Sequence, residues 1–102
     1  MVAQIKRSIL WDDEAKLYFK QAIQYIKQES PQGAVTVKRA IMDQIDILKN
    51  DPEIYELDRF KINNDGSYRA VTVYNYRITY IVTPTQIQIL RVRHTSQNPI
   101  NY

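Results

Sequence analysis

The hydrophobic period of this chain changes once, at Pro52, and that change sets the order of its elements. Before Pro52, apolar residues recur every three or four positions, as on one face of a helix. Ala15, Phe19, Ala22, Ile23 and Ile26 form one such series, and Ala34, Val37, Ile41, Ile45 and Leu48 form a second. Ser30-Pro31 divides them, with serine suited to cap a helix and proline to its first position. The spacing therefore predicts helices over about 12–29 and 31–49, with so short a link that they pack as an antiparallel hairpin. Asp12 is placed to cap the first, Asp13 and Glu14 suit its dipole, and Trp11 packs at its entry. Asn50-Asp51-Pro52 ends the second. Ahead of the helices, Ile5, Arg7 and Ile9 alternate, which predicts a strand over 3–10.

Beyond Pro52 the period is 2. A short strand is expected within Tyr55–Ile62, a turn at Asn63-Asn64-Asp65-Gly66, then strands over 68–74, 76–83 and 86–94, separated by Asn75 and by Pro84-Thr85. In the last strand Ile87 and Ile89 share one face while Leu90 and Val92 share the other. Either both faces are covered or a bulge near Ile89 shifts the phase. Tyr76 and Tyr80 alternate with Ile78 and Val82 and read as core. Residues 94–102 are polar, without period, and read as an extended tail. The expected fold is α+β, ordered β-α-α-β-β-β(-β), one domain over 1–102, with a helical hairpin packed on one face of a small antiparallel sheet.

Composition removes several chemistries. The 102 residues include no cysteine and one histidine, so disulfides, thiolate metal sites and cysteine nucleophiles are excluded, and no metal or cofactor is expected. No apolar run approaches the ~20 residues of a membrane span, and the N-terminus lacks a signal-peptide pattern. A cytoplasmic protein with no membrane partner is the expectation.

Charge is unevenly placed. Residues 1–66 hold ten bases and all eleven acids, whereas residues 67–102 hold Arg69, Arg77, Arg91 and Arg93 and no acid. Five of the eight tyrosines also lie in that last third. Guanidinium forks and aromatic faces suit an anionic partner, either nucleic acid or an acidic polypeptide. The same features also fit a tyrosine-rich sheet with solvated arginines. Arg77 is distinct, because an inward arginine among β-branched neighbours requires an anionic partner to offset its desolvation.

Three stretches together resemble a known family: Ile9-Leu10-Trp11 with Ala15, Ile23 and Tyr25-Ile26; Tyr76-Arg77-Ile78-Thr79-Tyr80; and Ile89-Leu90-Arg91-Val92-Arg93-His94 followed by Gln97-Asn98-Pro99. In this order they resemble the RelE/ParE superfamily, the toxins of bacterial type II toxin–antitoxin systems, often labelled plasmid stabilisation proteins. The resemblance implies a growth-inhibiting toxin and a cognate acidic antitoxin that folds over it, in a toxin–antitoxin hetero-oligomer or beside a homodimer. It also implies a target. RelE-like members cut messenger RNA on the ribosome without a metal, driving the ribose 2′-hydroxyl onto its own phosphodiester, and ParE-like members poison DNA gyrase.

For the nuclease branch, the resemblance implies that Arg77 stabilises the phosphorane, His94 serves as acid and Tyr102 stacks on a base, while Arg69 matches a basic position. Glu53 and Glu56 are the available carboxylate bases, by loop position alone. Two basic positions of that branch are replaced, by Val71 and Gln97, and the Leu90-Arg91-Val92-x-His94 ending is closer to the ParE branch. The gyrase reading is therefore favoured over messenger cleavage. On either, Arg69, Arg91, Arg93 and Tyr102 are the expected target-binding residues, with Arg77 and His94 catalytic only in a nuclease. A non-toxic RNA-binding module and an inactive toxin homologue are the remaining alternatives.

Overall fold

The structure, a computed structural model, describes residues 6–102. Its elements follow the order β1 (Ser8–Trp11), α1 (Asp13–Glu29), α2 (Pro31–Ile47), β2 (Tyr68–Val73), β3 (Tyr76–Val82) and β4 (Gln86–His94). Ala3 and Ile5 of the expected first strand lie outside the described residues. The break between the helices forms as its residues dictate: Ser30 Oγ accepts from the Gly33 amide at 3.0 Å, and Pro31 opens α2. Asp12 stands at the N-cap of α1, but its carboxylate does not cap the helix. Gln88 Nε2 donates to it at 2.6 Å and ties the helix entry to β4.

The sheet runs β1-β4-β3-β2. β2, β3 and β4 form the expected antiparallel meander, but β1 pairs with β4 in parallel. The sheet is thus mixed rather than wholly antiparallel. Tight turns force alternation only within the meander, whereas β1 is separated from β4 by both helices, β2 and β3 and is free of that constraint. The strand expected within Tyr55–Ile62 is reduced to a single bridge, Leu57 to Arg69. Asp58 breaks it, since its carboxylate accepts from the Phe60 amide at 3.1 Å and curls the chain out of extension.

One face of the sheet packs on the helices. Ala15 and Phe19 of α1, Ile41 and Ile45 of α2 and Leu48 meet Val73, Tyr76, Ile78, Tyr80, Ile87, Ile89 and Val92, all buried in one cluster. Trp11 stacks edge-on against Phe19, with ring centroids 5.2 Å apart. Tyr80 is fully buried and satisfies its hydroxyl by donating to the Pro52 carbonyl at 3.2 Å.

The phase conflict in the last strand resolves as a bulge. Thr79 pairs with Arg91 but Tyr80 with Ile89, so Leu90 is the extra residue. That insertion decides the surface. An unbroken strand with Ile87 and Ile89 in the core would send Arg91 and Arg93 inward as well. With the bulge, Val92 takes the core position, and Arg91 and Arg93 turn to the face away from the helices.

The guanidinium-lined face of the sheet

Three of the four expected arginines share that open face. Arg77 pairs directly with Arg93 across β3 and β4, and Thr79 with Arg91. Like charges placed opposite one another oppose strand pairing, so the arrangement is held at a cost by other contacts. Arg77, Arg91, Arg93 and His94 line one cavity of about 180 Å³, closed on its other sides by Asp58–Phe60 and by Gln97, Pro99, Ile100 and Tyr102.

Arg77 has its anionic partner within its own chain. Its Nη2 donates to Asp58 Oδ1 at 2.7 Å, and Tyr102 donates its hydroxyl to Asp58 Oδ2 at 2.5 Å. Asp58 is only 2% exposed. Burial alone pushes its carboxyl up, but the bonds from Tyr102, Arg77 and the Phe60 amide, with the Arg77 charge, outweigh this and hold it below the ordinary carboxylate range. Tyr102 is shifted the other way: burial and the Asp58 carboxylate keep its phenol protonated well above the usual range, so it stays a donor at neutral pH. Asp58 was not among the expected functional residues. Its signal was the requirement of Arg77 for an anion, which spacing did not locate.

Linkage follows from the lowered carboxyl. The Asp58 contribution to stability is complete above its unfolded pKa, about 3.9, and is lost as pH falls through the lower folded value. Urea midpoints of the wild type are expected to fall more steeply below about pH 4 than those of Asp58→Asn. Parallel acid limbs would contradict the pairing.

Among the described residues, Arg91 and Arg93 have no carboxylate partner. Arg91 lies over the Tyr102 ring, 4.7 Å from its centroid, in a hollow shared with Asp12 and Glu14. Arg93 donates to the Asn98 carbonyl at 3.2 Å. His94, at the end of β4, packs edge-on against Tyr76. Its Nδ1 accepts from the Ser96 amide at 3.0 Å and lies 2.7 Å from Ser96 Oγ, which leaves the ring proton on Nε2. Gln97 links the tail to α1, accepting from the Tyr18 hydroxyl at 3.1 Å and the His94 amide at 3.2 Å. Among the described residues, no three His, Asp or Glu side chains converge as a metal site would require.

Arg69 stands apart from the other three. It pairs with Tyr80 and so faces the helix side of the sheet. There its Nη1 donates to the Tyr55 carbonyl at 2.6 Å and reaches that of Glu53 at 3.5 Å, while its Nε is buried without a partner among the described residues. It fastens the 53–56 loop to β2, beside the bond from the Ala70 amide to the Glu56 carbonyl. Neither Glu53 nor Glu56 lines the cavity. Arg69→Met is expected to lower stability by about 1–2 kcal/mol, with faster hydrogen exchange at the Ala70 amide. Unchanged exchange there would contradict this fastening.

A family model described as the ParE toxin of the type II toxin–antitoxin system, parDE, matches residues 9–99. A solved structure of the chromosomal ParDE TA system from P. aeruginosa superposes with a TM-score of 0.68 at 18% identity, over 87% of this chain and 96% of that one. A structure of the YoeB dimer from Staphylococcus aureus gives 0.56 at 15% identity, over 90% and 98%. No curated protein matches the sequence. The solved structures share the fold, and the family model matches nearly the whole length: the chain belongs to the ParE toxin family of type II toxin–antitoxin systems.

Proposed function

We propose that this toxin inhibits growth in the cytoplasm by gripping DNA gyrase with its open sheet face, rather than by cleaving messenger RNA. One observation carries the choice: the Arg77 guanidinium and the Tyr102 hydroxyl are both held by the buried Asp58 carboxylate. Cleavage requires a cation free to meet the charge developing on the phosphorane, and groups to take and return a proton. Here Asp58 already neutralises Arg77, and the Tyr102 ring lies beside Tyr68 and within cation–π range of Arg91 and Lys61. Arg91 and Arg93, without carboxylate partners among the described residues, remain to bind a macromolecular anion, and binding without chemistry is what a poison requires. Membership of the ParE family agrees with this reading.

The same cation excess suits an acidic antitoxin that orders as it binds. Co-expression with the adjacent reading frame is expected to give one co-eluting complex on size exclusion, and separate elution would count against the pairing.

Gyrase supercoiling and cleavage of ribosome-bound messenger are to be measured with a single preparation. Supercoiling is expected to stop with gyrase–DNA complexes trapped, messenger to stay intact, and His94→Ala to retain the inhibition. Messenger cleavage abolished by both Arg77→Ala and His94→Ala would overturn the proposal in favour of the nuclease.

A further inference from the structure

Between α1, α2 and the end of β1 lies a second hollow, which shares no lining residue with the arginine cavity. Its volume is about 380 Å³, within the roughly 300–1,000 Å³ of small-molecule sites. Its apolar lining is Trp11, Phe19, Ile23 and Met42. Phe19 is buried, Trp11 and Ile23 are half-buried and Met42 is exposed, so the hollow opens from the edge of the core to solvent. Three exposed lysines, Lys16, Lys20 and Lys38, stand around it, and no acid lines it. Among the described residues, none of the three is in an ion pair. Neither Lys20 nor Lys38 has an acid three or four positions away on its helix. Lys16 and Lys20 stand four apart on α1, where like charges repel.

We propose that this hollow binds a free fatty acid, with the chain on the apolar lining and the carboxylate among the three lysines. The surround selects an anionic head on an apolar tail. A cationic head is repelled, a neutral one leaves the lysines unpaired, and a polyanion without a tail leaves the apolar lining in water. A docked helix fits less well. Phe19 and Ile23 of α1 and Met42 of α2, the apolar side chains that the helices supply, cover about one turn, whereas a docked helix seats anchors over two. The site does not depend on the gyrase reading, because the arginine face takes no part in it.

Trp11 is the only tryptophan of the chain and reports occupancy directly. The full chain is titrated with decanoate, decanol and decyltrimethylammonium as free monomers, reading Trp11 fluorescence and calorimetric heat. Decanoate is expected to saturate at one per chain with a blue shift, and to bind roughly tenfold tighter than decanol, about twofold for each exposed lysine. The ammonium is expected not to saturate. Lys20→Gln with Lys38→Gln should weaken decanoate roughly fivefold and leave decanol unchanged. Met42→Glu, a change at an exposed position, should weaken decanoate while sparing the fold, because it sets a carboxylate beside the head group. Decanol binding as tightly as decanoate, no saturable binding of decanoate, or indifference of decanoate to the lysine changes would overturn the proposal. Loss of helical circular dichroism during the titration would make decanoate a denaturant and overturn it too. Binding of an acidic amphipathic helical peptide in the hollow, with none of decanoate, would assign the hollow to a protein partner and overturn it as well.

Discussion

Replacing Asp58 with alanine is expected to destabilise the protein by about 3 kcal/mol, the largest effect of any single change on the open face. The Arg77 guanidinium, the Tyr102 hydroxyl and the Phe60 amide lose their acceptor together, and Arg77 is left amid the sheet without an anion. The figure sits at the lower end of the ~3–5 kcal/mol for breaking a buried pair, because the Arg77 side chain keeps 27% of its exposure. For a domain of this size it corresponds to a midpoint lower by roughly 12–15 °C. Adding Arg77→Met is expected to restore part of the loss, since an apolar side chain removes the stranded charge. Thermal unfolding of wild type, both single variants and the double closes the cycle. Additive losses would contradict a coupled pair.

The second large effect concerns the target. Arg91→Ala with Arg93→Ala is expected to weaken inhibition of gyrase roughly 100-fold, about tenfold or 1.4 kcal/mol for each lost cation. Stability should change little. Among the described residues neither side chain pairs with a carboxylate, and removing Arg93 relieves its repulsion of Arg77. A matching loss of stability would mean that the two arginines hold the fold rather than the target.

The helices, the meander and the family were legible in the sequence because each rests on local signals: two runs of helical spacing, a serine–proline boundary, three alternating strands. The phase conflict near Ile89 left two covered faces and a bulge equally open, and spacing alone did not set the direction of Arg91 and Arg93, which the bulge at Leu90 decides. What could not be read was set by distant contacts. The parallel pairing of β1 with β4 spans the chain, and no local pattern encodes it. The 55–62 strand failed because the Asp58 carboxylate curls its own backbone. Arg69 read as a target-binding cation and Arg77 as one needing an anion, yet Arg69 binds loop carbonyls on the helix side and Arg77 a carboxylate of its own chain on the open side. Tyr102 read as a free stacking residue, and its capture by Asp58 depends on where residues 58–62 come to rest.

Photo-crosslinking to purified gyrase would decide whether the open sheet face carries the activity. A photoreactive residue at Thr72, exposed on β2 and lining the arginine cavity, should give a covalent adduct, and one at Val35, exposed on α2, should give none. An adduct from Val35 with none from Thr72 would place the grip on the helices and contradict the role given to the arginines.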